Sequence, residues 1–206
     1  MTANRLLTRF GLIRHAKTVW NQEKRIQGQQ DTPITPEGEK LAREWGRRLQ
    51  AFGWKRILAS TAGRALKTAE LVNENLQLPL CSESRLREQD WGMWTGKTVA
   101  ELKRKAPRLL AEQEAKGWGF CPPGGEDRNK VWIRSKTALE ESALRWPGTT
   151  ILVLTHEGVI KSLIYRLCGR KFLPPEPPLI QPYHLHWIIY DNKRLQLEKV
   201  NALALN

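Results

Sequence analysis

Apolar positions along the chain fall into short continuous runs and helical stripes, and the two alternate. Phe10-Gly11-Leu12-Ile13 is an apolar run that stops abruptly at Arg14-His15, the pattern of a buried strand delivering polar residues at its C-terminal end. From Thr35-Pro36-Glu37 onward, a capping residue, a proline at the first helical position and an acidic first turn predict a helix. It carries Leu41, Trp45, Leu49 and Phe52 at helical spacing and is closed by Gly53. Ile57-Leu58-Ala59 predicts a second strand, after which Ser60-Thr61 supply capping oxygens for a helix with Leu66, Ala69, Leu71 and Val72 facing inward. Ile151-Leu152-Val153-Leu154 is the clearest buried strand. It is followed by a polar turn, Thr155-His156-Glu157-Gly158, and a helix with Val159, Ile160, Leu163, Ile164 and Leu167.

Strands alternating with helices predict an α/β fold, a three-layer α/β/α arrangement with a mostly parallel central sheet, whose site lies outside the carboxyl ends of the strands. The stretch from about 98 to 145 reads as helical and polar, interrupted by Gly117-Trp118-Gly119 and Pro122-Pro123-Gly124-Gly125. It is expected to be a helical insertion lying over the site as a lid. Leu173-Pro174-Pro175-Glu176-Pro177-Pro178 is a stiff connector, and Tyr183–Tyr190 with Leu195–Val200 predict a closing hairpin around Asp191-Asn192. With 206 residues and no internal repeat, a single domain over 1–206 is expected.

The formal net charge of +13 points to anionic partners, a class that includes phosphorylated metabolites, nucleic acid and acidic membrane surfaces. Cys81, Cys121 and Cys168 are odd in number and lack CxxC pairing, so they read as reduced, mostly buried thiols rather than a disulfide framework or zinc knuckle. The N-terminal stretch MTANRLLTRFGLIRH has no apolar leader pattern, and no apolar run approaches membrane-spanning length, so a cytoplasmic address is expected.

Arg14 and His15 carry the first chemical suggestion. A guanidinium fork suits the non-bridging oxygens of a phosphoryl group, and an imidazole nitrogen beside it can attack phosphorus. The dipeptide alone fits equally a surface cation beside a hydrogen-bonded histidine. Its surroundings are more specific: Leu12-Ile13-Arg14-His15-Ala16-Lys17-Thr18-Val19-Trp20-Asn21, then Arg25-Ile26-Gln27-Gly28 running on to Thr35-Pro36-Glu37-Gly38. Further blocks are Ala59-Ser60-Thr61-Ala62-Gly63-Arg64, Leu86-Arg87-Glu88-Gln89-Asp90-Trp91-Gly92, Pro122-Pro123-Gly124-Gly125-Glu126 and Thr155-His156-Glu157-Gly158. In this order they closely resemble the histidine phosphatase superfamily, in its phosphoglycerate-mutase-like branch.

The resemblance implies a phosphoglycerate mutase-like fold and a phosphohistidine mechanism that uses neither a metal nor another cofactor. His15 would be the nucleophile, with Arg14, Arg64 and His156 around the transferring group. Glu88 matches the proton donor, which afterwards activates water. Asn21 and Gln27 match neutral phosphate-binding positions, with Thr18 and Ser60 as additional contacts; capping is the competing reading for these polar side chains. Glu126 and its preceding glycines match a turn near the pocket mouth.

The sequence departs from this pattern at three places. Ala16 replaces the usual glycine after the first histidine and Lys17 the acidic residue that often follows; an alanine would be strained there if the backbone were left-handed. Glu157 occupies a position that is usually small, and ordinary helix capping predicts that it points away from bound phosphate. His184 and His186 share a face of a predicted strand but lack further ligands, so a structural role is expected. Nine tryptophans read as core or pocket walls, with Trp91 and Trp94 flanking the Glu88 block.

Hydrolysis of a small phosphomonoester is therefore the expected function, with a small phosphorylated metabolite as partner and neither nucleic acid nor membrane. A phosphoglycerate mutase using the same histidine is one alternative, and a non-catalytic phosphate- or nucleic-acid-binding protein another. General frequency alone allows a homodimer.

Overall fold

The computed structural model describes residues 6–206. In chain order its main elements are β1 (Thr8–Arg14), a single-turn α1 (Val19–Gln22), α2 (Pro36–Leu49), β2 (Arg56–Ser60), α3 (Gly63–Leu76), β3 (Leu80–Glu83) and α4 (Val99–Lys105). They continue with α5 (Pro107–Ala115), α6 (Arg128–Arg145), β4 (Thr150–Thr155), α7 (Glu157–Leu167), β5 (His184–Asp191) and β6 (Arg194–Ala204). The sheet order is β3-β2-β4-β1-β5-β6. The first four strands in that order run parallel, and β5 and β6 are added antiparallel beyond β1.

Strand alternation divides the core. Phe10 and Leu12 of β1, with Ile151 and Val153 of β4, pack on one face with Val131 and Leu139 of α6 and Val159 and Leu163 of α7. Ile13, Leu152 and Leu154 face the other side, toward Trp45 and Leu49 of α2 and Leu71 and Val72 of α3. Successive side chains of a strand point to opposite faces, so the continuous apolar runs of β1 and β4 are read out as two cores. Gly11 has a specific reason to lack a side chain: a Cβ there would lie 2.3 Å from the Trp54 ring, which stacks on Trp187 with centroids 5.0 Å apart.

The expected insertion over 98–145 is shorter than the sequence suggested. Helix α6 belongs to the sheet-covering layer, and only α4 and α5 form a separate unit around Trp94, Leu102, Leu110 and Phe120. The buried face of α6 looked polar because Ser135 and Ser142 lie on it. Each hydroxyl donates to a carbonyl one turn back, Val131 and Ala138, both at 2.7 Å, which satisfies it without solvent.

Other expectations also shift. The hairpin turn is Asn192-Lys193, one residue later than expected, with both residues at positive φ (49° and 61°) as a tight two-residue turn requires. The cysteines are free but not mostly buried, since Cys168 is exposed and Cys81 and Cys121 are partly exposed. His186 accepts the Asn201 N–H at Nδ1 (3.1 Å), while His184 Nδ1 donates to the Pro182 carbonyl (2.8 Å), so each has a hydrogen-bonding role. Among the described residues no helix is long and apolar enough to cross a membrane. The leader reading rests partly on residues 1–5, which lie outside the described residues.

Candidate active site

Parallel pairing of β1 with β4 aligns Arg14 with Thr155, so the next residues, His15 and His156, emerge side by side. The His15 N–H bonds the Thr155 carbonyl at 2.9 Å, and the two imidazole centroids are 5.2 Å apart. His15 Nδ1 lies 2.8 Å from the Ala16 carbonyl. A carbonyl only accepts, so Nδ1 carries the proton and Nε2 keeps its lone pair. Arg64 Nε donates to that Nε2 at 3.3 Å. Burial, then the fields of Arg14 and Arg64, hold the His15 pKa well below 6.5. The side chain is thus a neutral imidazole with an oriented lone pair, which is what a nitrogen nucleophile requires.

Ala16 does not have the feared strain. It is absent from the positive-φ residues, its methyl is fully buried, and its N–H donates to Thr68 Oγ1 at 3.0 Å.

Arg64 is held by three other groups besides His15. Nη1 donates to Asp31 Oδ1 (2.7 Å) and the Gln30 carbonyl (2.8 Å), and Nη2 to the Gly28 carbonyl (2.7 Å). Asp31 also accepts the Gly63 and Arg64 N–H groups, at 2.7 and 3.3 Å, and thereby caps α3. The expected Ser60-Thr61 cap is not made: Ala62 occupies the cap position, and Ser60 Oγ lies 2.8 Å from His156 Nε2.

His156 is fully buried behind this contact and does not reach the cavity wall; its Nδ1 has no partner among the described residues. Burial, Arg64, His15 and Arg14 in turn keep its pKa well below 6.5. Both histidines are neutral when folded and protonate near 6.5 when unfolded, so between those limits the unfolded chain binds more protons. Their contribution to stability is complete above 6.5 and declines as pH falls below it. The melting temperature should therefore decrease from about pH 7.5 to about 5.5, and a flat profile would contradict the burial of neutral rings.

Glu88 enters the cavity from the loop after β3. Its Oε1 accepts the Gln89 N–H (2.8 Å) and Oε2 the Gly158 N–H (3.2 Å). A Cβ at residue 158 would come within 2.3 Å of Glu88 Oε1, so a larger residue there would displace the carboxyl. The backbone around Glu88 is clamped by Arg134 of α6, which donates to the carbonyls of Arg85 (2.6 Å) and Glu88 (3.2 Å). Arg134 also pairs with both oxygens of Glu126, at 2.7 and 2.8 Å. Glu126 therefore anchors the loop carrying Glu88 and does not line the cavity itself.

The cavity measures about 390 Å³. Arg14, His15, Gln27, Arg64, Glu88, Glu157 and Lys161 are among its polar lining, and Ile26, Trp91, Val99 and Phe172 contribute apolar wall. Trp94 does not line it; it is buried against Phe120, with centroids 6.0 Å apart.

Asn21 is not brought into the site. Its Oδ1 accepts from the backbone N–H and hydroxyl of Thr18, both at 3.1 Å, in a reciprocal capping box that also occupies Thr18. Asn21→Ala should cost about 1 kcal/mol of stability in denaturant unfolding. A large rise in KM without loss of stability would instead restore it to substrate binding.

Glu157 also differs from expectation. It opens α7 but faces the cavity, 2.5 Å from both Arg14 Nη1 and Lys161 Nζ. Although burial opposes it, Arg14 and Lys161 keep its carboxyl below the usual carboxylate range. Two adjacent cations outweigh the helix-capping preference that pointed it outward. Sequence reasoning also missed Asp31, Arg134 and Gly158 as individual contributors. Their partners come from distant segments, and no local spacing marks them.

Residues 10–203 match the histidine phosphatase superfamily (branch 1). The chain belongs to that superfamily. This histidine phosphatase is 29% identical over 163 residues to the uncharacterized phosphatase PhoE of Bacillus subtilis, covering 79% of each chain. It is 35% identical over 168 residues to a probable phosphoglycerate mutase, GpmB, of Salmonella paratyphi B, covering 77% of this chain and 74% of that one. The solved structure of Bacillus stearothermophilus YhfR superposes with a TM-score of 0.86 at 32% identity, over 96% of this chain and 98% of that chain. The protein is accordingly a hydrolase acting on phosphate esters.

Proposed function

We propose that this histidine phosphatase is a cytoplasmic enzyme that hydrolyses a small phosphomonoester metabolite through a phosphohistidine on His15. The observation that carries the reading is the lone pair of His15 Nε2, oriented by the Ala16 carbonyl, in the same cavity as the Glu88 carboxyl. His15 Nε2 forms the N–P bond as the P–O ester bond breaks, and Glu88 gives its proton to the leaving oxygen. Glu88, now a carboxylate, takes a proton from water as that water attacks phosphorus; the P–N bond breaks, releasing orthophosphate and restoring the acid. Arg14 and Arg64 balance charge on the equatorial oxygens, the duty a divalent cation performs in other phosphatases.

Release of orthophosphate from p-nitrophenyl phosphate and a panel of metabolite esters, with EDTA present, tests this directly. Turnover that resists the chelator is expected; turnover that needs added metal would overturn the mechanism. The similarity to GpmB favours a second reading, phosphoglycerate mutase. A mutase would return the phosphoryl group to substrate and depend on a bisphosphorylated primer, so primer-independent hydrolysis decides between the two.

Glu157 bears on anion affinity because it already occupies Arg14. Glu157→Gln should tighten competitive inhibition by orthophosphate about tenfold, through loss of like-charge repulsion. An unchanged inhibition constant would mean that bound phosphate does not sense this carboxylate.

A further inference from the structure

Beside the catalytic cavity lies a second one of about 300 Å³, set between the start of α7, strand β5 and the chain at 178–183 that joins them. Arg14, Glu157 and Lys161 line both cavities, so their ion pairs form a shared wall. Ile160, Pro178, Ile180, Pro182 and Tyr183 supply most of the remaining lining. Tyr183 is held at φ 51°, a left-handed conformation that costs an aromatic residue energy. The Leu205 N–H, which donates to its carbonyl at 2.8 Å, and its ring contact with Trp45, centroids 5.9 Å apart, keep it there.

His186 singles this cavity out. It is only 1 % exposed, yet it contributes to the lining. Nδ1 accepts the Asn201 N–H at 3.1 Å, so the ring proton sits on Nε2. Burial, then the field of His184, hold its pKa at about 4, which keeps the imidazole neutral. Nε2 has no hydrogen-bond partner among the described residues, but it is not sealed in. The little surface that His186 retains therefore lies at this N–H, facing the cavity. Apolar walls around one fixed donor are the make-up of a small-molecule pocket. The charges decide the class of occupant. Arg14 and Lys161 already share the two oxygens of Glu157, and neutral His186 offers no charge to pair. An ionic ligand would be desolvated without compensation, whereas a neutral one with a single acceptor satisfies the donor.

We infer that this second cavity is an effector site for a neutral, largely apolar small molecule that accepts a hydrogen bond from His186 Nε2, and that its occupation weakens phosphate binding next door. The coupling runs through the shared wall. An occupant excludes water from its side of Glu157 and so strengthens the pairs with Arg14 and Lys161. Phosphate must compete with Glu157 for Arg14, so the two ligands oppose each other, and each weakens the other by the same factor.

The test uses 1-indanone, whose ketone is the acceptor, and indane, the same frame without it. Both are titrated into the full chain and followed by amide shifts in two-dimensional NMR. 1-Indanone should bind about tenfold more tightly than indane, with shifts centred on Ile160, Ile180 and His186. His186→Asn keeps an acceptor for the Asn201 N–H but lacks the Nε2 donor, and it should bring the ratio to about one. The ratio is internal to each variant, so a general loss of stability does not affect it. Ile180→Trp, which fills the cavity from its partly exposed edge, should abolish binding of both probes. By calorimetry, saturating 1-indanone should weaken orthophosphate binding about fivefold in the wild type and leave it unchanged in Glu157→Gln. These readings use binding alone, so they hold or fail independently of turnover. Absence of binding, equal Kd values for the two probes, or a preference that persists in His186→Asn would overturn the site. Tighter binding of indane-1-carboxylate than of the ketone would overturn the neutral class, and an orthophosphate affinity indifferent to 1-indanone would overturn the coupling.

Discussion

His15→Ala should lower phosphate release by ~10⁴-fold or more, the scale on which removal of a covalent nucleophile acts. The second imidazole beside it, His156, is fully buried and does not line the cavity. Rapid acid-free quenching of the wild type with labelled ester should trap a base-stable, acid-labile phosphoryl group, which the variant should lack. The fold should survive, since among the described residues the side-chain bonds lost are those to Ala16 and Arg64, and Arg64 keeps Asp31, Gly28 and Gln30. Residual activity within tenfold of wild type would remove His15 from the chemistry.

The second large effect is expected at Glu88, and its signature depends on the leaving group. An alkoxide leaves poorly without a proton, so Glu88→Gln should reduce turnover of alkyl phosphates by ~10²- to 10⁴-fold. Nitrophenolate needs no such help. With p-nitrophenyl phosphate the first step should proceed, whereas the second, which needs a base to activate water, should stall. The variant should then release a burst of nitrophenol equal to the enzyme present, followed by slow turnover. Glutamine retains one acceptor oxygen and so keeps one of the two backbone contacts, while Arg134 continues to hold the carbonyls of Arg85 and Glu88, so gross displacement of the loop is not expected. A uniform loss on alkyl and aryl esters, with no burst, would assign Glu88 to binding rather than proton transfer.

The readable parts of this fold are those written in local periodicity. The apolar runs of β1, β2 and β4 and the Thr35-Pro36 start of α2 appear where the sequence placed them, and Thr35 Oγ1 accepts the Gly38 N–H at 3.0 Å. Strand ends carrying Arg14-His15 and His156 were legible for the same reason. Helix α6 was misread because satisfied serines on a buried face imitate a solvent-exposed one. Asn21 and Glu157 were misplaced for a different reason. Each has two physically sound destinations, and the choice is made by neighbours that are not visible in local spacing: Thr18 for the first, Arg14 and Lys161 for the second. Of the residues that support the site, Asp31 and Arg134 carried no local signal. Arg134 lies in a helix read as a lid, yet it fixes the backbone of Glu88 from the other side of the loop.

The pairing of β1 with β4 has a consequence for how activity is acquired. His15 lies near the start of the chain and His156 in its last third, and they become neighbours only when these strands align. Such contacts close long loops and form late relative to helices and hairpins. Catalytic competence should thus behave as an all-or-none property of the refolded chain. On dilution from denaturant, enzymatic recovery should follow the slowest structural phase, with no partially active population preceding it.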